Sequence, residues 1–146
     1  MIEFTVPAVP VAQPRVKATV RAGHAAVYNQ TTIGKGMDKR PHPIVAFKAT
    51  VRLAAEAAYK GPPLEGPIEI RVVFVLPRPK NKVWKTRPME REPHVTKPDK
   101  DNMEKSVLDS LTGTLWRDDR QVWKSTTEKV IASGGEQPHV SIQVMQ

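Results

Sequence analysis

Apolar residues recur at helical spacing in two stretches of the chain. In residues 43–59 they repeat every three or four positions until Gly61-Pro62-Pro63 interrupts the pattern, which predicts an amphipathic helix lying against a sheet. A shorter repeat passes through Val107, Leu108 and Leu111 towards Leu115. The pattern predicts a second helix there, with Asp101 or Asn102 suited to capping its start and Gly113 suited to ending it.

Four other stretches have the alternation or the continuous apolar character of strands. They are residues 2–6, 67–76, 121–132 and 140–144. Residues 67–76 are apolar on both faces, which favours a central strand. Gly134-Gly135 predicts a turn that joins the last two strands as an antiparallel hairpin. Residues 22–42 are rich in glycine and polar residues, and they predict a loop with a β-hairpin element around residues 25–28. The expected fold class is α+β: a small mixed sheet of about four strands with two main helices.

Composition narrows the class of protein. The chain has 146 residues, which favours one domain spanning 1–146. It has no cysteine, so disulfides, thiolate zinc sites and thiol nucleophiles are excluded. No apolar run approaches the roughly 20 residues of a membrane span, and the N-terminus lacks the features of a signal peptide, so we expect a cytoplasmic protein without a membrane partner. Trp116 and Trp123 are predicted core residues.

Charge is distributed unevenly. The formal net charge is +8. Residues 1–97 hold 17 basic and 7 acidic side chains, whereas residues 98–146 hold 6 basic and 8 acidic ones. A basic body attracts a polyanion and releases its counterions. The charge distribution therefore suits an enzyme acting on nucleic acid, although a soluble basic protein without that function has the same composition.

The acidic residues are concentrated in residues 97–122. Asp99 and Asp101 stand two apart, Lys105 follows four residues later, and Asp118-Asp119 comes after the predicted helix. In an extended segment, Asp99 and Asp101 point to the same side. Carboxylates with waters and substrate phosphate are the ligands that Mg²⁺ prefers, and a bound ion can polarise a phosphoryl group. The pattern predicts metal-dependent chemistry on phosphate; the alternative is that the aspartates only cap helices and turns.

The order of these residues resembles the RusA family of Holliday junction resolvases, endonucleases that are common on prophages. The matching residues are Asp99, Asp101, Asn102, Lys105, Asp109, Asp118, Asp119, Gln121 and Val122. The resemblance implies that Asp99, Asp101 and Asp119 are catalytic, metal-binding carboxylates and that Lys105 is the catalytic lysine. Asp118 is a further candidate metal ligand. The implied cofactor is Mg²⁺, with Mn²⁺ as a substitute, and the implied assembly is a homodimer on four-way DNA junctions.

Two basic segments are candidate DNA contacts. The proline-rich N-terminal segment is similar to the opening of many RusA-family members, and its candidates are Arg15, Lys17 and Arg21. The second is a basic, proline-rich loop over residues 77–97, which we predict to be a mobile arm that grips DNA. Trp84 in this arm is expected either to stack on DNA or to pack against the protein. The candidate DNA-binding residues of the arm are Arg78, Lys80, Lys82, Lys85 and Arg87.

The expected function is that of a Mg²⁺-dependent endodeoxyribonuclease that resolves Holliday junctions by paired symmetric nicks in recombination and repair. The carboxylates and the basic body predict phosphodiester hydrolysis by themselves, whereas the junction comes from the resemblance. Two alternatives remain open: a metal-dependent nuclease on other branched or single-stranded DNA, and a non-catalytic DNA-binding module. The complete set of Asp99, Asp101, Lys105 and Asp119 argues against the second alternative.

Overall fold

A computed structural model describes residues 1–14, 17–21, 23–28 and 31–146. Two helices are found in these ranges, α1 (Pro43–Ala58) and α2 (Lys100–Leu111). The strands are β1 (Ile2–Val6), β2 (Lys17–Arg21), β3 (His24–Tyr28), β4 (Thr32–Ile33), β5 (Arg40–Pro41), β6 (Ile68–Leu76), β7 (Glu92–Pro93), β8 (Val122–Ile131) and β9 (His139–Met145). The main sheet is mixed and has the order β1-β9-β6-β8-β7, while β2 pairs with β3 and β4 with β5. The α+β prediction is confirmed, and the β2–β3 pair includes the predicted hairpin element.

Strand β6 lies at the centre of the sheet, as its apolar composition predicts. It pairs in parallel with β8 and antiparallel with β9. The predicted β8–β9 hairpin is therefore wrong, because β6 separates the two strands. The reason is burial: β6 is apolar on both faces, whereas half of the residues of β8 are exposed. Placing β6 between its neighbours covers the more apolar strand, and residues 132–138 cross over its end.

Helix α1 matches its prediction to within one residue. Pro43 occupies the first helical position, and the Ile44 N–H donates to Nδ1 of His42 over 3.0 Å. The buried face carries Ile44, Phe47, Val51 and Ala55. These side chains join the buried face of β6, β9 and β1 and the apolar residues of α2 in one core. Both helices therefore cover the same face of the sheet.

Helix α2 begins earlier than predicted. Asp99 is its N-cap residue, so Asp101 already lies in the first turn and Lys105 in the second. The predicted extended arrangement of Asp99 and Asp101 is therefore wrong, because the chain turns into helix directly after Asp99. Gly113 adopts a φ of 84° and ends the helix as predicted. Trp116 is fully buried beyond this turn, which confirms its predicted core position.

The loop of residues 77–97 is held to the edge of the sheet by Arg78. The side chain of Arg78 is only 7% exposed. Its guanidinium donates to the carbonyl oxygens of Lys82 (2.7 Å), Glu90 (2.9 Å) and Ala132 (3.1 Å) and to the carboxylate of Glu92 (2.9 Å). β7, within the loop, pairs with the end of β8. The prediction of a mobile arm is corrected accordingly, because internal hydrogen bonds fix its path.

Trp84 packs inside the loop. The guanidinium of Arg87 lies 3.9 Å from the ring centroid and that of Arg78 lies 5.2 Å from it. The indole N–H donates to the Pro88 carbonyl over 3.2 Å. Trp84 thus supports the folded loop through cation–π contacts.

Candidate active site

Asp99 and Asp101 lie at the start of α2, where β8 anchors the incoming chain. The Lys129 ammonium donates to the carbonyl oxygens of Thr96 and Pro98. The Asp101 carboxylate is exposed and accepts from the Asn102 N–H over 3.0 Å. Lys129 therefore fixes the position from which both aspartates project. The sequence did not single out Lys129, since its role depends on the contact between a strand and a distant loop.

Lys105 belongs to a group of basic residues formed by α1 and α2. Its side chain is exposed, one turn from Asp109, and Asp109 forms an ion pair with Lys48 of α1 at 3.7 Å. Burial lowers the pKa of Lys48, and the nearby charges of Arg52 and Lys105 lower it further, while Asp109 opposes them. Lys48 and Arg52 are additional candidate phosphate contacts. The sequence pattern of α1 indicated only a scaffold, although the i, i+4 spacing of these two residues on its polar side was a usable signal.

Asp118 caps the short 3₁₀ turn Asp119–Gln121 that leads into β8. Its carboxylate accepts from the Arg120 N–H at 2.9 Å and from the Arg120 guanidinium at 2.8 and 3.0 Å. Hydrogen bonding to Arg120 lowers the pKa of Asp118 to about 2. Asp118 thus holds the turn, whereas Asp119 next to it is exposed.

Gln121 ties this turn to the segment that precedes β6. Its side-chain oxygen accepts from the N–H groups of Arg117 (3.0 Å) and Asp118 (3.1 Å). Its side-chain nitrogen donates to the carbonyl oxygens of Leu64 (2.9 Å) and Gly66 (3.2 Å). The amide group thus uses both its donor and its acceptor ends. This explains why a glutamine, rather than a charged residue of similar size, suits the position.

The two acidic groups lie at opposite ends of β8 within one chain. Asp119 begins the turn that leads into Val122, where β8 starts, whereas the segment before Asp99 contacts Lys129 near its other end. Seven residues of strand span roughly 23 Å, and α2 returns over a similar length, with Glu104 accepting from Thr127 at 2.8 Å. The prediction of one acidic cluster at one end is corrected: among the residues described, no three Asp, Glu, His or Cys side chains are grouped to hold a metal ion.

A comparison with protein families matches nearly the whole chain. The family described as "Endodeoxyribonuclease RusA" matches residues 7–145. The chain belongs to the RusA family. It is also similar to "Uncharacterized protein YqaN" of Bacillus subtilis (strain 168), with 28% identity over 150 residues that cover 99% of this chain and 96% of that protein. Family membership indicates an endodeoxyribonuclease.

The candidate DNA-binding residues in the loop of this RusA-family chain differ in how far their side chains are exposed to solvent. Lys80, Lys85 and Arg87 are exposed. Lys82 is half-buried and pairs with Glu92 at 3.1 Å. The Arg78 side chain is buried and bonded inside the protein, so its prediction as a DNA contact is revised. Since β7 pairs with the end of β8, the exposed basic residues of the loop belong to the same end of the sheet as Asp99.

The N-terminal candidates are only partly described. Arg15 lies outside the described residues. Lys17 and Arg21 lie in β2, which pairs with β3, but their side chains are not among those the structure describes. The backbone N–H of Gln13 donates to the Asn102 carbonyl over 2.9 Å. This bond brings the proline-rich segment against the start of α2, and the proposed DNA contacts of the three basic residues stay predictions.

Trp123 is 68% exposed, so its predicted core position is wrong. The register between β6 and β8 shifts at this point, because Ile68 is opposite Val122 while Glu69 is opposite Lys124. Trp123 is the extra residue of this bulge, and bulges re-aim side chains. Sequence alternation alone does not reveal such a shift.

Within the described ranges, no helix is long and apolar enough to cross a membrane.

Proposed function

We propose that this RusA-family endodeoxyribonuclease resolves four-way DNA junctions as a Mg²⁺-dependent homodimer that makes paired symmetric nicks. The family match supports the class of enzyme. The observation that carries the assembly is the separation of Asp99 and Asp101 from Asp119 along β8. A single chain presents two incomplete acidic groups, so a second chain is needed to supply the missing group.

A two-fold axis is sufficient to bring the two groups together. If two copies pack with their β8 strands antiparallel, the end of one strand that carries Asp119 lies beside the end of the other that carries Asp99 and Asp101. The same axis generates two equivalent sites. Isologous dimers are the commonest oligomers, and a four-way junction has approximate two-fold symmetry. Each site would nick one of two opposed strands.

In this proposal, Asp99 and Asp101 of one protomer and Asp119 of the other hold the ion. Oxygen ligands of this kind suit Mg²⁺, and Mn²⁺ accepts a similar set. A divalent ion in this place would polarise the scissile phosphate. Lys105 would stabilise the charge that develops on the phosphate or the leaving oxygen. Asp118 is proposed to act through the turn that it caps and is a weaker candidate ligand, since Arg120 already occupies its carboxylate.

Substitution of single carboxylates tests the assignment. Asp99→Asn, Asp101→Asn and Asp119→Asn should each abolish cleavage of a synthetic junction while leaving junction binding largely intact, because each change removes charge but keeps volume. Lys105→Ala should lower the single-turnover rate about 10²–10³-fold with a smaller effect on affinity. Cleavage at the wild-type rate by all three asparagine variants would exclude the carboxylates from the chemistry.

Mixing two inactive variants tests whether the site is shared. A heterodimer of Asp99→Asn and Asp119→Asn protomers keeps one site with all its carboxylates, because each intact aspartate meets an intact partner at one of the two sites. Random exchange should then restore roughly a quarter of wild-type nicking, as single nicks. The matched control mixes Asp99→Asn with Asp101→Asn, which lie in the same half of the site and should restore nothing. If the first mixture also restores nothing although the subunits exchange, each site belongs to one chain.

A panel of DNA substrates and metal ions tests the proposed preference for junctions and the proposed dependence on Mg²⁺. Synthetic four-way junctions, flaps, single strands and duplexes should be incubated with Mg²⁺, with Mn²⁺ and with a chelator. We expect paired nicks in junctions with either ion and none with the chelator. Binding of Mn²⁺ to the free protein, measured by electron paramagnetic resonance, should fall in Asp101→Asn. Preferential cutting of flaps or single strands would favour a nuclease of different specificity.

A further inference from the structure

One residue of β8 holds the segment that leads to the acidic pair at three points. The carbonyl oxygen of Lys129 accepts from the His94 N–H over 2.9 Å. Its ammonium donates to the carbonyl oxygen of Thr96 over 2.6 Å and also to that of Pro98. All three contacts lie shortly before Asp99 in the chain. The end of β8 therefore sets the path by which the chain enters α2.

Hydrogen bonds hold the backbone on both sides of Asp99. The carbonyl of Pro98, close before Asp99, accepts from the Lys129 ammonium. The carbonyl of Asp99 itself accepts from the N–H of Met103 over 3.2 Å, and Met103 is fully buried. Between these two contacts, Asp99 has a φ of −70° and a ψ of 140°. Because a peptide unit is planar and φ and ψ are the soft dihedrals, fixing the backbone at both places restricts where the Asp99 carboxylate can point.

The ammonium of Lys129 bonds to the backbone rather than to a carboxylate. Lys48, Lys82 and Lys124 each form an ion pair, whereas none of the ion pairs in the described part of the chain involves Lys129. An ammonium carries three donors on a single atom, so it can bridge two neighbouring carbonyl oxygens. A side chain without donors at this position would leave both oxygens without these partners, which is costly where they are shielded from water.

A second contact between β8 and α2 provides a comparison. Thr127, two residues before Lys129, donates its hydroxyl to the Glu104 carboxylate over 2.8 Å. Glu104 lies in the second turn of α2. This bond attaches the body of the helix to the strand, but it does not involve the backbone next to Asp99. The two contacts therefore separate attachment of the helix from orientation of the Asp99 carboxylate.

We propose that Lys129 is a positioning residue, which raises the affinity of the proposed metal site for its divalent ion by orienting Asp99. This inference rests on the proposed function in that it takes Asp99 and Asp101 as metal ligands. In this role Lys129 acts through the backbone and touches neither the ion nor the scissile phosphate. Groups that orient metal ligands change metal affinity or activity by about 10–100-fold when they are substituted.

Lys129→Met tests this role, because methionine is also unbranched but has no donor. The dissociation constant for Mn²⁺, measured by electron paramagnetic resonance on the free protein, should rise about 10–100-fold. The Mg²⁺ concentration that gives half-maximal single-turnover cleavage of a synthetic junction should rise by a similar factor. The rate at saturating Mg²⁺ and the junction affinity without metal should stay close to wild type, since the ligands themselves are unchanged.

Two further variants complete the measurement. Thr127→Val is the matched control: it removes one hydrogen bond between β8 and α2, and it should leave the affinity for Mn²⁺ and the Mg²⁺ requirement close to wild type. Lys129→Gln keeps an amide that can donate to one of the two carbonyl oxygens, so its affinity for Mn²⁺ should lie between those of the wild type and Lys129→Met. Thermal denaturation establishes that each variant is folded, and Lys129→Gln decides the question if Lys129→Met is not.

The outcomes separate the positioning role from the proposed function. Wild-type affinity for Mn²⁺ in a folded Lys129 variant would overturn the role and leave the metal site standing. An equal loss of affinity in Thr127→Val would also overturn it, because any loosening of α2 would then have the same effect. A wild-type protein that binds no Mn²⁺ would refute the metal site and the positioning role together. Weakened Mn²⁺ binding by Lys129→Met in a protein that cuts flaps rather than junctions would support the role and refute only the resolvase.

Discussion

Replacement of Arg78 by lysine distinguishes a structural role from DNA contact. The change keeps the positive charge, so a residue that only meets phosphate would be little affected. In the structure, the planar guanidinium bonds to three carbonyl oxygens and the Glu92 carboxylate. A lysine ammonium has a single donor atom and cannot reach four acceptors distributed around that fork. We therefore expect the loss of two or three of these bonds.

Arg78→Lys should lower the free energy of unfolding by a large amount for a single substitution. Hydrogen bonds that involve a charged group contribute about 1.5–3 kcal/mol each, and the Arg78 side chain is only 7% exposed. The surviving bonds and water entering the loop reduce the sum, so we expect a loss of about 3 kcal/mol in the free energy of unfolding. For a domain of this size, that corresponds to a fall in Tm of about 6–12 °C. Urea denaturation and calorimetry measure both quantities.

A matched substitution in the same loop is the control. Arg87 is exposed, and its contact is with the face of Trp84. Arg87→Lys keeps the charge over the ring and should change stability by less than about 1 kcal/mol. Limited proteolysis should cut within residues 77–97 sooner in Arg78→Lys than in Arg87→Lys. A fully stable Arg78→Lys with weakened junction binding would refute the structural role and return Arg78 to the DNA-binding set.

Three further predictions concern stability. Gln121→Ala should cost about 2 kcal/mol, since four backbone groups lose a partner; Gln143→Ala, whose side chain donates to Glu3 over 3.3 Å, should cost less than half of that in the same denaturation assay. Burial, followed by the charge of Lys129, lowers the pKa of His94 below 6.5. The stability that neutral His94 provides should therefore be present above about pH 6.5 and be lost as the pH falls below it. His94→Gln should make the free energy of unfolding depend less on pH in this range. Hydrogen bonding to Arg91 lowers the pKa of Glu136 from 4.5 to about 2. The stability that ionised Glu136 provides should therefore be present above about pH 4.5 and be lost as the pH falls toward 2. Glu136→Gln should reduce that loss, and an unchanged dependence of stability on acid pH would contradict the role of this ion pair.

The elements that periodicity predicts correctly are those whose burial is set by their own sequence. Helix α1 shows its apolar face every three or four residues, and β6 is apolar on both faces, so their positions follow from the residues alone. The pairing of β8 with β9 was predicted wrongly because two neighbouring strands with a glycine turn suit a hairpin. The competing gain, burial of β6 between them, depends on a strand 46 residues before the start of β8 in the chain, counted from Leu76 to Val122.

For the candidate site, the sequence predicts which residues are involved but not where they lie in space. The types and spacing of Asp99, Asp101, Lys105 and Asp119 identify the family that the comparison confirms. Their distribution in space could not be predicted from spacing, because α2 carries the chain from one end of β8 to the other. Charge was equally ambiguous in the loop: Arg78 and Arg87 look alike in the sequence, yet one is internal and the other exposed. Only tertiary contacts separate the two.

The separation of the acidic groups would link cutting to assembly. In the proposed dimer, each site takes residues from both copies, so a two-fold axis forms either both sites or neither. A monomer could not nick, and a half-assembled dimer with one active site could not arise from identical chains. For a junction resolvase this is useful, because a single nick leaves the junction unresolved and the strand damaged. Dilution should therefore abolish nicking and dimerisation at the same protein concentration, whereas a site contained within one chain would keep nicking after the dimer had dissociated.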